Sequence, residues 1–144
     1  MEKYVSEPVL RLAAEYDVPC LIDFVGKYRI LRMITDEFPE TKIIVAHFGK
    51  YLCRDERLID EFIRIAEGHE NIFFLDTSGV IIPRKIRKAV DRLGSDHIIF
   101  GTDDPTPDGA EFVLAEIDKI RSLNLNPKDE AAILGGSAAK LLKI

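Results

Sequence analysis

The sequence predicts an α/β fold, a parallel sheet covered by helices, and two observations carry that reading. Strand-sized apolar runs alternate four times with helical patterns of roughly ten residues, the mark of βαβ units. Each run also ends on a side chain capable of chemistry: Asp23, His47, Asp76 and Asp103 all lie at or just beyond the C-terminal end of one.

The elements follow in order. Residues 6–16 read as a helix, with Ser6 as N-cap and Val9, Leu10, Leu12 and Ala13 on the buried stripe. "VPCLIDF" (18–24) is a short strand. A helix over 30–38 stops before Pro39, because the residue ahead of a proline is pushed out of helical backbone, and "KIIVAH" (42–47) is the next strand. Residues 58–67 are helical and "NIFFLD" (71–76) is extended. A helix over 82–93 begins beside Pro83, whose fixed φ suits a first turn, and "HIIFG" (97–101) is the last strand. Residues 110–123 form a long amphipathic helix with Phe112, Val113, Leu114, Ile117 and Ile120 apolar. Two short helices, 127–134 and 138–142, flank "GGS". That tripeptide does not follow a strand, so Ser137 reads as an N-cap rather than part of a phosphate loop.

Composition bounds the function. A chain of 144 residues, 47% hydrophobic and 31% charged, supports one core, so residues 1–144 are expected to form a single domain. Twenty basic against twenty-five acidic residues give a net charge of −5, with no basic stripe to follow a phosphate backbone. Nucleic acid is therefore not an expected partner. The apolar runs are too short to span a membrane and no signal-like start is present, so a cytoplasmic location is expected. Cys20 and Cys53 form no CxxC and read as reduced thiols.

In α/β folds the C-terminal strand edge is where ligands bind, because the loops after the strands open a crevice there. One imidazole and two or three carboxylates at such a rim can hold a divalent metal, which makes hydroxide available near neutral pH. A His–Asp pair can instead do general acid–base work. Strand alternation puts His47 on the face of Val45 and Ile43, and Asp103 on the face of Gly101 and Ile99. Asp104-Pro105 is also a turn dipeptide, and an Asp after a strand is often a turn former. His69 and His97, among polar neighbours, read as solvated.

Taken in order, "VPCLIDFVGK", "FPETKIIVAHFGK", "NIFFLDTSGV", "LGSDHIIFGTDDP" and "ILGGSAAKLLKI" resemble the second half of the amidohydrolase-related branch of the amidohydrolase superfamily. Those proteins are metal-dependent hydrolases and nonoxidative decarboxylases on a TIM barrel. The resemblance implies a (β/α)4 half barrel with parallel strands and outer helices. It implies that Asp103 is a metal ligand that also manages the proton of the attacking water. It implies that His47 binds a second metal or orients that water, that Asp76 shapes the pocket, and that zinc is the expected metal. Two departures stand out. Asp23 occupies the place where the family carries a histidine ligand, which would make it a third, harder donor, and the family's His-x-His pair does not occur.

A half barrel leaves two edge strands and an apolar face to be covered. A second copy of the chain, a separate polypeptide and an upstream segment are the candidate covers. A homodimer or higher oligomer is the favoured expectation, since two copies about a twofold axis can close eight strands. Two functions follow: a metal-dependent hydrolase, or decarboxylase-type lyase, acting on a small carboxylate-bearing or cyclic molecule, or a noncatalytic assembly or binding subunit descended from such an enzyme.

Overall fold

The structure, a computed structural model, describes residues 3–75, 77, 79–103 and 109–144. Its helices are α1 (Lys3–Glu15), α2 (Tyr28–Glu37), α3 (Glu56–Ala66), α4 (Pro83–Leu93), α5 (Ala110–Arg121), α6 (Pro127–Ala131) and α7 (Ser137–Leu142). Its strands are β1 (Cys20–Ile22), β2 (Ile43–Ala46), β3 (Ile72–Leu75) and β4 (Ile98–Ile99). All four strands are parallel and lie in chain order, so β1 and β4 are the sheet's edges. The predicted fold class stands, and each ladder is a little shorter than its apolar run.

Local chemistry explains where the helices begin. The Asp55 carboxylate caps α3, accepting from Arg57 N at 3.0 Å and Leu58 N at 3.2 Å, and Asn126 caps α6 by accepting from Asp129 N at 2.9 Å. Three expectations need correction. The first helix starts at Lys3, so Ser6 lies inside it rather than capping it. Only Leu10 and Ala13 of its expected stripe are buried, while Val9 and Leu12 are exposed. Ser137 caps nothing, because it is itself the first residue of α7, which follows α6 through a wide turn at Ala132–Gly136 kinked at Gly135; its buried hydroxyl donates to Ser95 O at 3.0 Å.

The sheet buries its two faces unequally. Ile43, Val45, Ile72, Phe74 and Ile98 point toward the helices and are fully buried against Leu31 and Ile34 of α2, Phe62 and Ile63 of α3, and Ile86 of α4. On the opposite face Leu21, Ile44 and Phe73 share one row of the register, and Ala46 and Ile99 belong to the next. There a small second cluster joins Ile44 and Ile99 to Leu141 of α7. Leu21, on edge strand β1, remains 57% exposed.

Helix α7 is fastened near the N-terminal ends of the strands. Lys140 pairs with Asp96 at 2.6 Å, ahead of β4, and Lys143 pairs with Asp17, ahead of β1. In the same region His97 is half-buried rather than solvated: Nδ1 lies 2.7 Å from Ile72 O and the ring stacks on Phe73 at 5.3 Å. His69 is also half-buried. Hydrogen bonds from Lys143 and then Lys42 hold the Asp17 carboxyl down at about 2. A depressed carboxylate contributes above its ordinary value near 3.8 and loses that contribution as pH falls through about 2. Asp17→Asn should therefore lower the thermal midpoint slightly at neutral pH and by less near pH 2, where the carboxyl is about half protonated; an equal deficit at both would remove the ion pairs as its cause. The effect is expected to be small and salt-sensitive, because Asp17 faces solvent.

Candidate functional site

The ends of β2 and β4 are built on unusual backbone. Strand β2 stops at Ala46, and His47 and Phe48 then take left-handed conformations at φ 50° and 52°. For residues with a Cβ this costs roughly 1–2 kcal/mol each. The kink resets the side-chain alternation. Phe48 drops into the core against Phe74, ring centroids 4.9 Å apart, on the helix-facing side that Ile43 and Val45 occupy. The strand alternation behind the expectation for His47 therefore ends at Ala46. Asp103 is left-handed as well, at φ 50°, a conformation a short polar side chain tolerates.

These two kinks bring together side chains from strands that are not neighbours. His47 Nε2 and Asp103 Oδ2 lie 3.9 Å apart, with the imidazole 12% exposed and the carboxylate 51% exposed. That gap is too long for a hydrogen bond. Tetrahedral zinc with bonds of about 2.1 Å would hold the two atoms about 3.4 Å apart, so the pair would have to close by about 0.5 Å to share one ion. The donor chemistry fits a divalent cation, one imidazole nitrogen and one carboxylate oxygen. The described residues contain no group of three or more His, Cys, Asp and Glu side chains able to hold a metal.

Asp23 stands at the matching end of β1 but is engaged locally. Its Oδ1 accepts from Val25 N at 2.9 Å, a turn that supports Val25 at φ 48°. Asp76, Asp104 and Pro105 lie outside the described residues.

Sequence reasoning missed the groups that surround His47. The Tyr51 ring meets the imidazole edge-on at 5.0 Å, and the Gly79 backbone packs against both rings. Lys119 of α5 donates to Thr77 O at 2.5 Å, under the loop that carries Gly79. The available signal was Glu116 and Lys119 next to Ile120 on a helix otherwise judged by its apolar residues. Among the described residues no helix is long and apolar enough to cross a membrane.

Comparison with known proteins places this architecture. A zinc-bound amidohydrolase from Burkholderia multivorans superposes with a TM-score of 0.74 at 14% identity, covering 94% of this chain and 56% of its own. The 2,6-dihydroxybenzoate decarboxylase from Rhizobium gives 0.68 at 18% identity, over 99% of this chain and 56% of its own. A dihydroxybenzoic acid decarboxylase from Polaromonas sp. JS666, solved with manganese and 2-nitroresorcinol, gives 0.62 at 20% identity, over 99% and 54%. At such identities the likeness shows a shared fold, and the chain spans about half the length of these structures. Its four strands correspond to about half of a TIM barrel. No curated protein matches the chain. The family model described as "Amidohydrolase" matches residues 2–144, and the chain belongs to that family.

Proposed function

We propose that this chain supplies one half of a metal-dependent active site that acts on a small molecule, as a hydrolase of the amidohydrolase type or as a nonoxidative decarboxylase. The observation that carries the reading is the convergence of His47 and Asp103, 3.9 Å apart, from β2 and β4. Left-handed, non-glycine backbone at both positions is consistent with it, since such conformations cluster at functional sites. The relatives bound to zinc and manganese support a divalent ion, with zinc the proposed metal.

When bound, a divalent ion supplies Lewis acidity and a more acidic bound water. Asp103, half-exposed, would ligate the ion through one carboxylate oxygen and take up a proton at the other. His47, its ring walled by Tyr51 and Gly79, presents Nε2 toward the same space. Within one chain Asp23 forms no three-donor group with His47 and Asp103. A mononuclear site takes at least three protein ligands, so Asp23 of the copy that completes the barrel is the proposed third donor. Elemental analysis of protein purified without added metal tests the reading, with about one equivalent of divalent metal per completed barrel as the expected result. Metal-free protein that also fails to take up zinc or manganese would overturn it. That result would favour a noncatalytic binding or assembly subunit.

We further propose that a second copy completes the barrel. Edge strand β1 offers Leu21 on the face away from the helices, and Val18 and Val25 beside it are exposed too. A light-scattering mass near twice 16.3 kDa is expected. Leu21→Lys should drive the protein toward monomer or aggregate; a wild-type mass of one chain at micromolar concentration rejects the dimer.

A further inference from the structure

The loop after β3 is held by a charged pair far away in sequence. Lys119 and Glu116, one turn apart on α5, lie 2.6 Å from each other, with side chains only 14% and 10% exposed. Burying such a pair is costly, and apolar residues of similar size usually pack as well, so what the pair touches is informative. The Lys119 ammonium donates to Thr77 O at 2.5 Å and to Val80 O at 3.4 Å, spanning the loop's described residues. Thr77, Gly79 and Val80 are themselves buried.

The same loop presses on His47. A Cβ added to Gly79 would lie 2.9 Å from His47 Nδ1 and 2.6 Å from Tyr51 Cδ2, so the glycine backbone walls both rings. Leu52 N donates to Gly79 O at 2.9 Å, which ties the loop after β2 to the same point. A continuous path of contacts thus runs from the α5 pair through two backbone carbonyls to the Nδ1 side of an imidazole.

We propose that Lys119, with Glu116 as its counter-ion, is a positioning residue for His47: it fixes the loop bearing Gly79, and that loop sets the angle at which Nε2 faces Asp103. Only the metal arm of the test rests on the function proposed above. The double substitution Lys119→Met with Glu116→Leu removes the strut without leaving a lone buried charge. In the folded variant the imidazole ¹⁵N and ¹³C resonances of His47 should move. Those of His69 and His97, near the opposite ends of the strands, should stay and serve as internal controls.

Affinity for zinc or manganese ion should fall about tenfold, the usual scale for losing a group that orients a ligand. Unmoved His47 resonances in a folded variant, or equal movement of all three histidines, would overturn the proposal. If wild-type protein binds neither metal, the proposed function fails while the resonance comparison still decides this inference. Should the double variant not fold, Lys119→Arg keeps the charge with altered donor geometry and decides it by the same resonances.

Discussion

Asp103→Asn is expected to reduce affinity for a divalent metal at least about a hundredfold, since loss of a group that merely orients a ligand costs about 10–100-fold. Asparagine keeps the shape and loses the charge, so the change removes an anionic donor without opening a cavity. Isothermal titration with zinc or manganese, on protein in its native oligomeric state, measures the effect. Two other carboxylates sharpen the result. Asp104→Asn, one residue on and outside the described residues, should have a far smaller effect, and equal losses would show that the adjacent acids are wrongly assigned. Asp23→Asn retains an oxygen that can accept from Val25 N, so a clear fall in affinity there would place Asp23 among the ligands. Activity, once a substrate is identified, should fall with affinity, because Asp103 is also the group proposed to carry the proton.

The largest expected effect on stability belongs to Gly49→Ala. Gly49 sits at φ 96°, directly after the two left-handed residues, and a Cβ there would come within 2.6 Å of Cγ in the Phe62 ring. That ring has nowhere to retreat. Phe62 is fully buried, with Phe24 and Tyr28 packed beside it at centroid distances of 5.8 and 6.5 Å. Gly49 O also accepts from Gly26 N at 2.7 Å, so a shift of this backbone would pull on the loop after β1. Overpacking of about 1–3 kcal/mol added to backbone strain of about 1–2 kcal/mol gives a loss of about 2–5 kcal/mol. The thermal midpoint followed by circular dichroism should drop by roughly 10 °C. Gly68→Ala supplies the comparison, because Gly68 has φ 84° but nothing within 4 Å of the added Cβ. It should lose only the backbone share. Equal losses at the two positions would mean that the Phe62 contact contributes nothing.

The alternation of strands and helices, and the chemistry-bearing residues at the strand ends, were legible without coordinates. A buried parallel strand needs a continuous apolar run and a covering helix needs a stripe, and "KIIVAH" and "NIFFLD" state the first pattern in a few adjacent residues. The position of Asp103 beyond β4 followed in the same way. The orientation of His47 did not follow, because strand alternation holds only while the backbone stays extended, and two left-handed residues end it at Ala46. Phe48 then takes the inward place, for burial in the core outweighs the local preference against that backbone. Nor does a short window show that Lys119 reaches Thr77 across 42 positions, or that α7 folds back to pair Lys143 with Asp17 across 126. Sequence by itself determined which elements form and which residues stand at their ends, since periodicity and turn chemistry act over a few residues. Only the tertiary structure decided which of those residues meet, because that depends on how distant surfaces pack and on where buried charges find partners.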